Sequence, residues 1–211
     1  MDWAFIEEAL PALLRASVAT ILVSLAAIAL GFAAGAVIAA AATVRARWAR
    51  AFAATYISFF RGVPLLVQLL LAYYALPFIG LDIPAIVAAV GTLGLCCAAY
   101  MAEILRGGLA IVPAGSVEAA RLLGLTPVQT FLRIRLPIAA SAMRPAIVNE
   151  AIMIMKASSL VSVVGILELT RASQAIASST FQPLPSYALC GAIYLVINFA
   201  LMAVGWGGRR A

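Results

Sequence analysis

Long apolar runs alternate with short polar ones along this chain. The stretch 12–42 carries one charge, Arg15, near its start. A membrane span needs about 20 consecutive apolar residues. By that measure the pattern predicts spans at about 12–42, 52–78, 85–105, 138–156 and 186–206. Three places break the rule. Arg61-Gly62-Val63-Pro64 interrupts the second run, and Arg144, Asn149, Glu150 and Lys156 lie in or at the end of the fourth. The segment 158–179 is apolar but Ser-rich, with Glu168 and Arg171, and reads as a re-entrant or short-helix region. Pro183 and Pro185 then break the chain before the last span. The expected fold is an all-α integral membrane protein of about five transmembrane helices, one domain over 1–211.

Composition agrees. Apolar residues make up 65% of the 211, against 14 Lys or Arg and 8 Asp or Glu. A soluble domain runs near 45–50% apolar and about 25% charged, so a soluble enzyme and a disordered chain are both excluded. The absence of His removes histidine-ligated metals, Ser-His-Asp triads and histidine pH switches. Cys96, Cys97 and Cys190 all sit in apolar runs and read as small buried hydrophobes; an adjacent pair lacks CxxC spacing. No metal or cofactor is expected, and no GxxxxGK[ST] phosphate loop occurs. The acidic start, with Asp2, Glu7 and Glu8, is unlike a signal peptide, so nothing removable is expected. Gly31-Phe-Ala-Ala-Gly35 has the spacing for close helix contact.

The net charge of +6 falls on cytoplasmic loops rather than on a nucleic-acid surface. Arg45, Arg47 and Arg50 follow the first span. Arg106, Arg121, Arg133 and Arg135 flank or lie in the long third loop, and Arg209 and Arg210 end the chain. Asp2, Glu7, Glu8, Asp82 and Glu168 fall on the other side, with Arg171 as its clearest base. Five spans therefore put the N-terminus outside and the C-terminus in the cytoplasm. Six would move the tail arginines to the acidic side.

The third loop is the most structured polar segment. Over 117–137 it reads as two short helices: Glu118–Leu123 is helix-prone and Gly124 can stop it in a left-handed conformation. Thr126 can then cap a second helix, with Pro127 at its first position and Gln129 completing a capping box. Phe131 and Ile134, three apart, share a face. Such a loop either lies on the membrane surface or docks a soluble partner, with Ala119 and Ala120 permitting close packing and Glu118 and Arg121 pairing at the rim.

Glu118-Ala119-Ala120, then Gly124, Ile134 and Pro137, resemble the EAA loop of ABC-importer permeases. Other segments resemble the polar amino-acid uptake group: Phe60-Arg61-Gly62-Val63-Pro64-Leu65-Leu66-Val67-Gln68, then Ala102-Glu103-Ile104-Leu105-Arg106-Gly107-Gly108. Asn149, Lys156-Ala-Ser-Ser-Leu160 and Glu168-Leu169-Thr170-Arg171 also match. The chain departs from that group at Val63 (usually Thr), at Ala114 and Ser116 (Lys and Gln), at Ile138 (Gln), and in its short tail. The resemblance implies a loop, 113–137, whose coupling helix sits in a cleft of an ABC ATPase. It also implies an ATPase dimer, a second permease subunit (the same chain or a paralogue) and an external solute-binding protein. The expected activity is ATP-driven import of polar amino acids across a bacterial inner membrane, with no nucleotide site and no enzymatic role in this chain. A self-sufficient secondary transporter or channel would explain the buried charges but not the loop. An intramembrane protease using Ser159 with Lys156 would lack an oxyanion site.

Ionisable or amide groups at membrane depth are functional candidates, because each costs several kcal/mol unless paired or hydrated. They are Arg61, Gln68, Glu103, Arg144, Asn149, Glu150 and Lys156. Asn149 and Lys156, two helical turns apart, share a face, and Glu150 is about 100° round from Asn149. Glu150 can receive an ammonium or a cationic side chain and Lys156 a carboxylate, while Gln68 and Ser159 can add neutral hydrogen bonds. Alternatively Glu150 and Lys156 form an internal ion pair. The resemblance implies a small substrate pocket at this level, and an acid beside Asn149 would tune it toward basic substrates. Arg61, Gly62 and Pro64 form either a gate or pocket wall, or a simple kink. Glu103 with Arg106 reads as a structural i,i+3 pair, and Arg15 as snorkelling to the outer interface.

Overall fold

The computed structural model describes residues 3–207. Asp2 and the tail pair Arg209 and Arg210, used above to orient the chain, lie outside them. Every regular element among the described residues is helical. α1 (Trp3–Thr43) is followed by α2 (Arg47–Gly62), α3 (Leu65–Phe78) and α4 (Ala85–Ala110). The loop helices α5 (Ala114–Leu122) and α6 (Pro127–Thr130) come next, then a π turn over Phe131–Arg135, α7 (Leu136–Ala142) and α8 (Arg144–Ala157). A 3₁₀ segment over Ser158–Val164, α9 (Leu169–Thr180) and α10 (Pro183–Gly207) complete the chain. Four helical stretches are long and apolar enough to cross a membrane: 5–43, 85–110, 144–164 and 183–205. The pair α2 and α3 adds a fifth if counted as one span.

The first of these stretches begins earlier than the apolar pattern suggests, because α1 carries Glu7 and Glu8 on the same helix. The stretch 52–78 is not a straight helix. α2 and α3 meet at an angle of 101°, because Pro64 has no N–H to continue the ladder and Val63 is extended. The stretch 138–156 is broken as well. Met143 leaves helical geometry just before Arg144-Pro145, and the apolar stretch runs on to Val164 instead. Proline at a helix start is tolerated but bars continuation from the preceding turn.

α1 and α4 form the most extensive helix pair. The Gly31 and Gly35 spacing makes it possible. A Cβ on Gly31 would lie 2.5 Å from Cys97 Cβ, and one on Gly35 would lie 2.7 Å from Met101 Cβ and 3.0 Å from the Ala98 carbonyl oxygen. The backbones therefore touch where only hydrogen fits. Around this seam Val23, Leu69, Leu93, Met101, Ile154 and Val161 form the largest buried cluster. Cys96, Cys97 and Cys190 are all buried and unoxidised.

Glu168 is the main departure from the expected charge distribution. It does not lie on a polar surface but is fully buried. Its carboxylate caps α9, accepting from the backbone N–H groups of Thr170 at 2.9 Å and Arg171 at 2.7 Å. A helix N-terminus favours a negative charge, and this one replaces the water that the side chain has lost.

Candidate functional site

The third loop folds as its residues dictate. α5 ends in a Schellman arrangement: Gly124 N–H donates to the Arg121 carbonyl at 2.9 Å and Leu125 N–H to the Ala120 carbonyl at 3.1 Å. Gly124 has φ +74, the left-handed conformation this turn requires. Thr126 and Gln129 form the reciprocal capping box at 3.2 and 2.9 Å, with Pro127 in the first turn. Ala120 is buried; Glu118, Ala119, Arg121 and Pro137 are exposed, and Phe131 and Ile134 are half-buried. Leu122 (90% exposed), Leu123 (79%) and Val128 (66%) give the turn an apolar tip beside the charged Glu118 and Arg121. Behind α5 lies a cavity of about 350 Å³ lined by Val112, Ala114, Glu118, Arg121 and Arg135. Ala114, one of the departures noted above, lines that cavity.

At the bend, Gln68 is buried and its amide nitrogen donates to two carbonyls: Phe60 at 2.9 Å and Val63 at 2.7 Å. Pro64 and the break leave those carbonyls without helical partners, and Gln68 replaces them. Its amide oxygen is buried with no hydrogen-bond partner among the described residues. The Cys96 thiol reaches the same Phe60 carbonyl at 3.7 Å, and the Tyr56 hydroxyl donates to the Leu95 carbonyl at 2.6 Å. The end of α2 is thus pinned to α4. Gly62 packs against nothing in its Cβ direction, and Pro64 is exposed.

Glu103 and Arg106 form the expected pair, at 2.9 and 2.8 Å. Arg61 joins them, 3.9 Å from Glu103 Oε2 and 5.3 Å over the Tyr100 ring. Tyr100 was not visible as a partner in the sequence, because the pairing crosses from α2 to α4.

The other candidates divide between two sides of α8. Glu150 is buried, 8% exposed, and forms no ion pair among the described residues. It shares a face of α8 with Ile147 and Ile154, which pack in the cluster of Leu69 from α3 and Leu93, Cys97 and Met101 from α4. Asn149 and Lys156 are exposed. Lys156 lines a groove of about 320 Å³ with Ile152 and, from α10, Tyr194, Asn198 and Phe199. Ser159 donates locally to the Lys156 carbonyl at 2.8 Å. Gln68 and Glu150 thus belong to the α2–α3–α4 side, and Lys156 to the α10 side.

Residues 34–205 match the family described as binding-protein-dependent transport system inner membrane component. The octopine transport system permease protein OccM of Rhizobium meliloti is 42% identical over 169 residues, 74% of this chain and 68% of that protein. The glutamine transport system permease protein GlnP of Escherichia coli K12 is 35% identical over 202 residues, 95% and 92% of the two chains. A crystal structure of an amino acid ABC transporter with histidines superposes with a TM-score of 0.84 at 34% identity, covering 97% of this chain and 96% of that one. The MetNI methionine transporter shares the fold at a TM-score of 0.77 and 19% identity.

Proposed function

This chain belongs to the family of binding-protein-dependent transport system inner membrane components, and on that premise we propose that it moves cationic amino acids in an ATP-driven importer. It is the permease component of an ABC amino-acid importer, an inner-membrane transport subunit rather than an enzyme. In the proposed assembly two permease subunits, identical or paralogous, span the membrane with N-termini outside and C-termini in the cytoplasm. An ATPase dimer receives the apolar tip of each 113–137 loop, with Glu118, Ala119, Ala120, Gly124, Ile134 and Pro137 forming the docking element. A solute-binding protein delivers substrate from outside.

One observation carries the cation reading. Glu150 is buried and forms no ion pair among the described residues. A membrane-depth acid left in that state costs several kcal/mol unless something positive arrives. Gln68, with its free amide oxygen, stands on the same side and supplies an acceptor. Arg61, Gly62 and Pro64 form the wall of that site. Asn149, Lys156 and Ser159 lie on the other side of α8 or at its end, where Lys156 offers a cation for a substrate carboxylate along the path. Relatives named for octopine and nopaline transport support the reading, because both compounds carry a guanidinium group.

Glu150→Gln is nearly isosteric and removes only the charge. A charge-assisted hydrogen bond is worth about 1.5–3 kcal/mol, so uptake efficiency for a cationic amino acid falls by roughly 10- to 150-fold. Unchanged uptake in Glu150→Gln, with normal assembly, would overturn the reading.

A further inference from the structure

One stripe of α5 faces a cavity. Ala114, Val117, Glu118 and Arg121 follow the i, i+3, i+4, i+7 spacing of a single helix face. All four line the space of about 350 Å³ behind α5. Leu109 and Val112, at and just after the end of α4, give it an apolar wall, and Arg135 of the π turn adds a second guanidinium. Ala119 and Leu123 point the other way round α5, so the cavity and the Leu123 side of the loop tip are separate surfaces.

Three charged side chains surround this space without neutralising one another. Neither Arg121 nor Arg135 forms an ion pair among the described residues, and Glu118 pairs with neither. Arg121 is not needed as a cap, because Gly124 and Leu125 N–H already bond the Arg121 and Ala120 carbonyls. Arg135 is half-buried, and a guanidinium in that state gains from any anion that reaches it. No side chain caps the first turn of α5, so its Ala114 end adds free N–H donors and the positive end of the helix dipole. Leu109 lies in the last turn of the span 85–110. The cavity therefore sits where that span leaves the hydrocarbon and lipid headgroups begin.

We propose that this cavity seats the headgroup of an anionic phospholipid, with the phosphodiester between Arg121 and Arg135 and the glycerol carbons against Leu109 and Val112. The planar guanidinium matches a phosphate in shape as well as charge, and basic pockets at the membrane face suit such headgroups. Two arginines against one glutamate leave one net positive charge around the space. That favours a lipid with one net negative charge. A zwitterionic headgroup would bring its own cation to the guanidinia. The site is independent of which substrate the importer carries.

Native mass spectrometry of the purified permease–ATPase complex, titrated with phosphatidylglycerol or phosphatidylcholine, reads the bound lipid directly. Phosphatidylglycerol should stay bound and phosphatidylcholine should not, and excess inorganic phosphate should not displace the bound lipid. Arg121→Gln and Arg135→Gln should each weaken phosphatidylglycerol binding about fivefold, the effect of one basic residue at an anionic headgroup. Arg133→Gln should leave it unchanged, because Arg133 is exposed and does not line the cavity. That variant separates a built site from the general attraction of a basic loop. Ala114→Trp alters no charge but fills the cavity, and it should weaken binding at least as much as Arg135→Gln. Ala114 is exposed, so this variant keeps the test open where Arg135→Gln fails to assemble. Equal binding of the two lipids, displacement by inorganic phosphate, equal loss in Arg133→Gln, or unchanged binding in Ala114→Trp would each overturn the proposal. So would a complex that retains no phosphatidylglycerol, because the ATPase would then cover the cavity.

Discussion

The Tyr194 hydroxyl of α10 donates to Glu168 Oε2 at the start of α9, 3.0 Å away. Because a phenol has one hydrogen, the 3.1 Å contact between Thr170 and Tyr194 is then a donation from the Thr170 hydroxyl. Thr20 of α1 completes the set: its hydroxyl points to Glu168 Oε2 at 3.4 Å while its oxygen accepts from Leu169 N–H at 3.1 Å. Three helices thus meet on one carboxylate that has no cation among the described residues within ion-pair distance. Tyr194→Phe removes one donor and should cost about 1 kcal/mol, whereas Glu168→Ala strands the cap and both hydroxyls and should cost about 2–4 kcal/mol. Thermal unfolding of the purified complex in detergent measures both. The double variant should cost less than the sum of the two single changes, because the bond from Tyr194 to Glu168 is lost in both.

At the α1–α4 seam, Gly35→Val places side-chain carbon within 2.7 Å of Met101 Cβ and against the backbone of Ala98 and Ala102. Backbone cannot yield as a rotamer can, so overpacking should cost at least about 1–3 kcal/mol. The same change at Gly91, which meets nothing within 4 Å, should leave unfolding temperature nearly unaltered. Equal effects at the two glycines would show that the close approach is not what holds the pair.

Gly124→Val puts a β-branched residue at φ +74, a conformation that costs roughly 1–2 kcal/mol for a side chain with Cβ. The Schellman bonds to Arg121 and Ala120 should loosen and the Leu122–Leu123 tip should lose its direction. The expected outcome is a permease that still inserts and folds but no longer supports substrate-stimulated ATP hydrolysis. Normal stimulation would show that this turn does not transmit the power stroke.

Local signals were readable from the sequence wherever one short segment decided the outcome. The Thr126–Gln129 capping box, the Gly124 stop and the Glu103–Arg106 pair all involve residues three apart or fewer, so spacing alone specifies them. Contacts that join distant elements were not readable. Nothing in the string ties Thr20 to Glu168, 148 residues on, and an acid three residues before Arg171 reads as a surface group until its spatial neighbours are known. Gln68 shows the same limit: its amide was legible as a buried polar group, but its use in closing the Phe60 and Val63 carbonyls depends on a bend of 101°. The break at Met143 was masked by apolar composition, which carries no phase information when both faces of a helix are apolar.

Orientation is tested by single cysteines in a background lacking Cys96, Cys97 and Cys190. Asp82 and Arg47 are both exposed, on the short loop before α4 and at the start of α2. Asp82→Cys should label with an impermeant maleimide in intact cells, and Arg47→Cys only after the membrane is opened. Labelling of both from one side would overturn the five-span arrangement, because α2 and α3 would then not cross the membrane between them.

Lys156 provides the sharpest test of what Glu150 does. If the two formed a structural ion pair, removing one charge would leave the other buried and unpaired, and removing both would recover much of the loss. The geometry argues otherwise. Six residues along a helix place the two side chains about 120° apart. Lys156 lines the groove against Tyr194 and Asn198, and no ion pair joins it to Glu150 among the described residues. Glu150→Gln combined with Lys156→Met should therefore transport cationic amino acids no better than Glu150→Gln alone. Lys156→Met by itself should cost less than Glu150→Gln, because an exposed ammonium can be hydrated and a buried carboxylate cannot. Transport efficiency in proteoliposomes containing the complete importer reads all three variants. Recovery in the double variant would mean that the two charges answer each other in the working transporter, and Glu150 would then be a structural residue rather than the seat of the substrate cation.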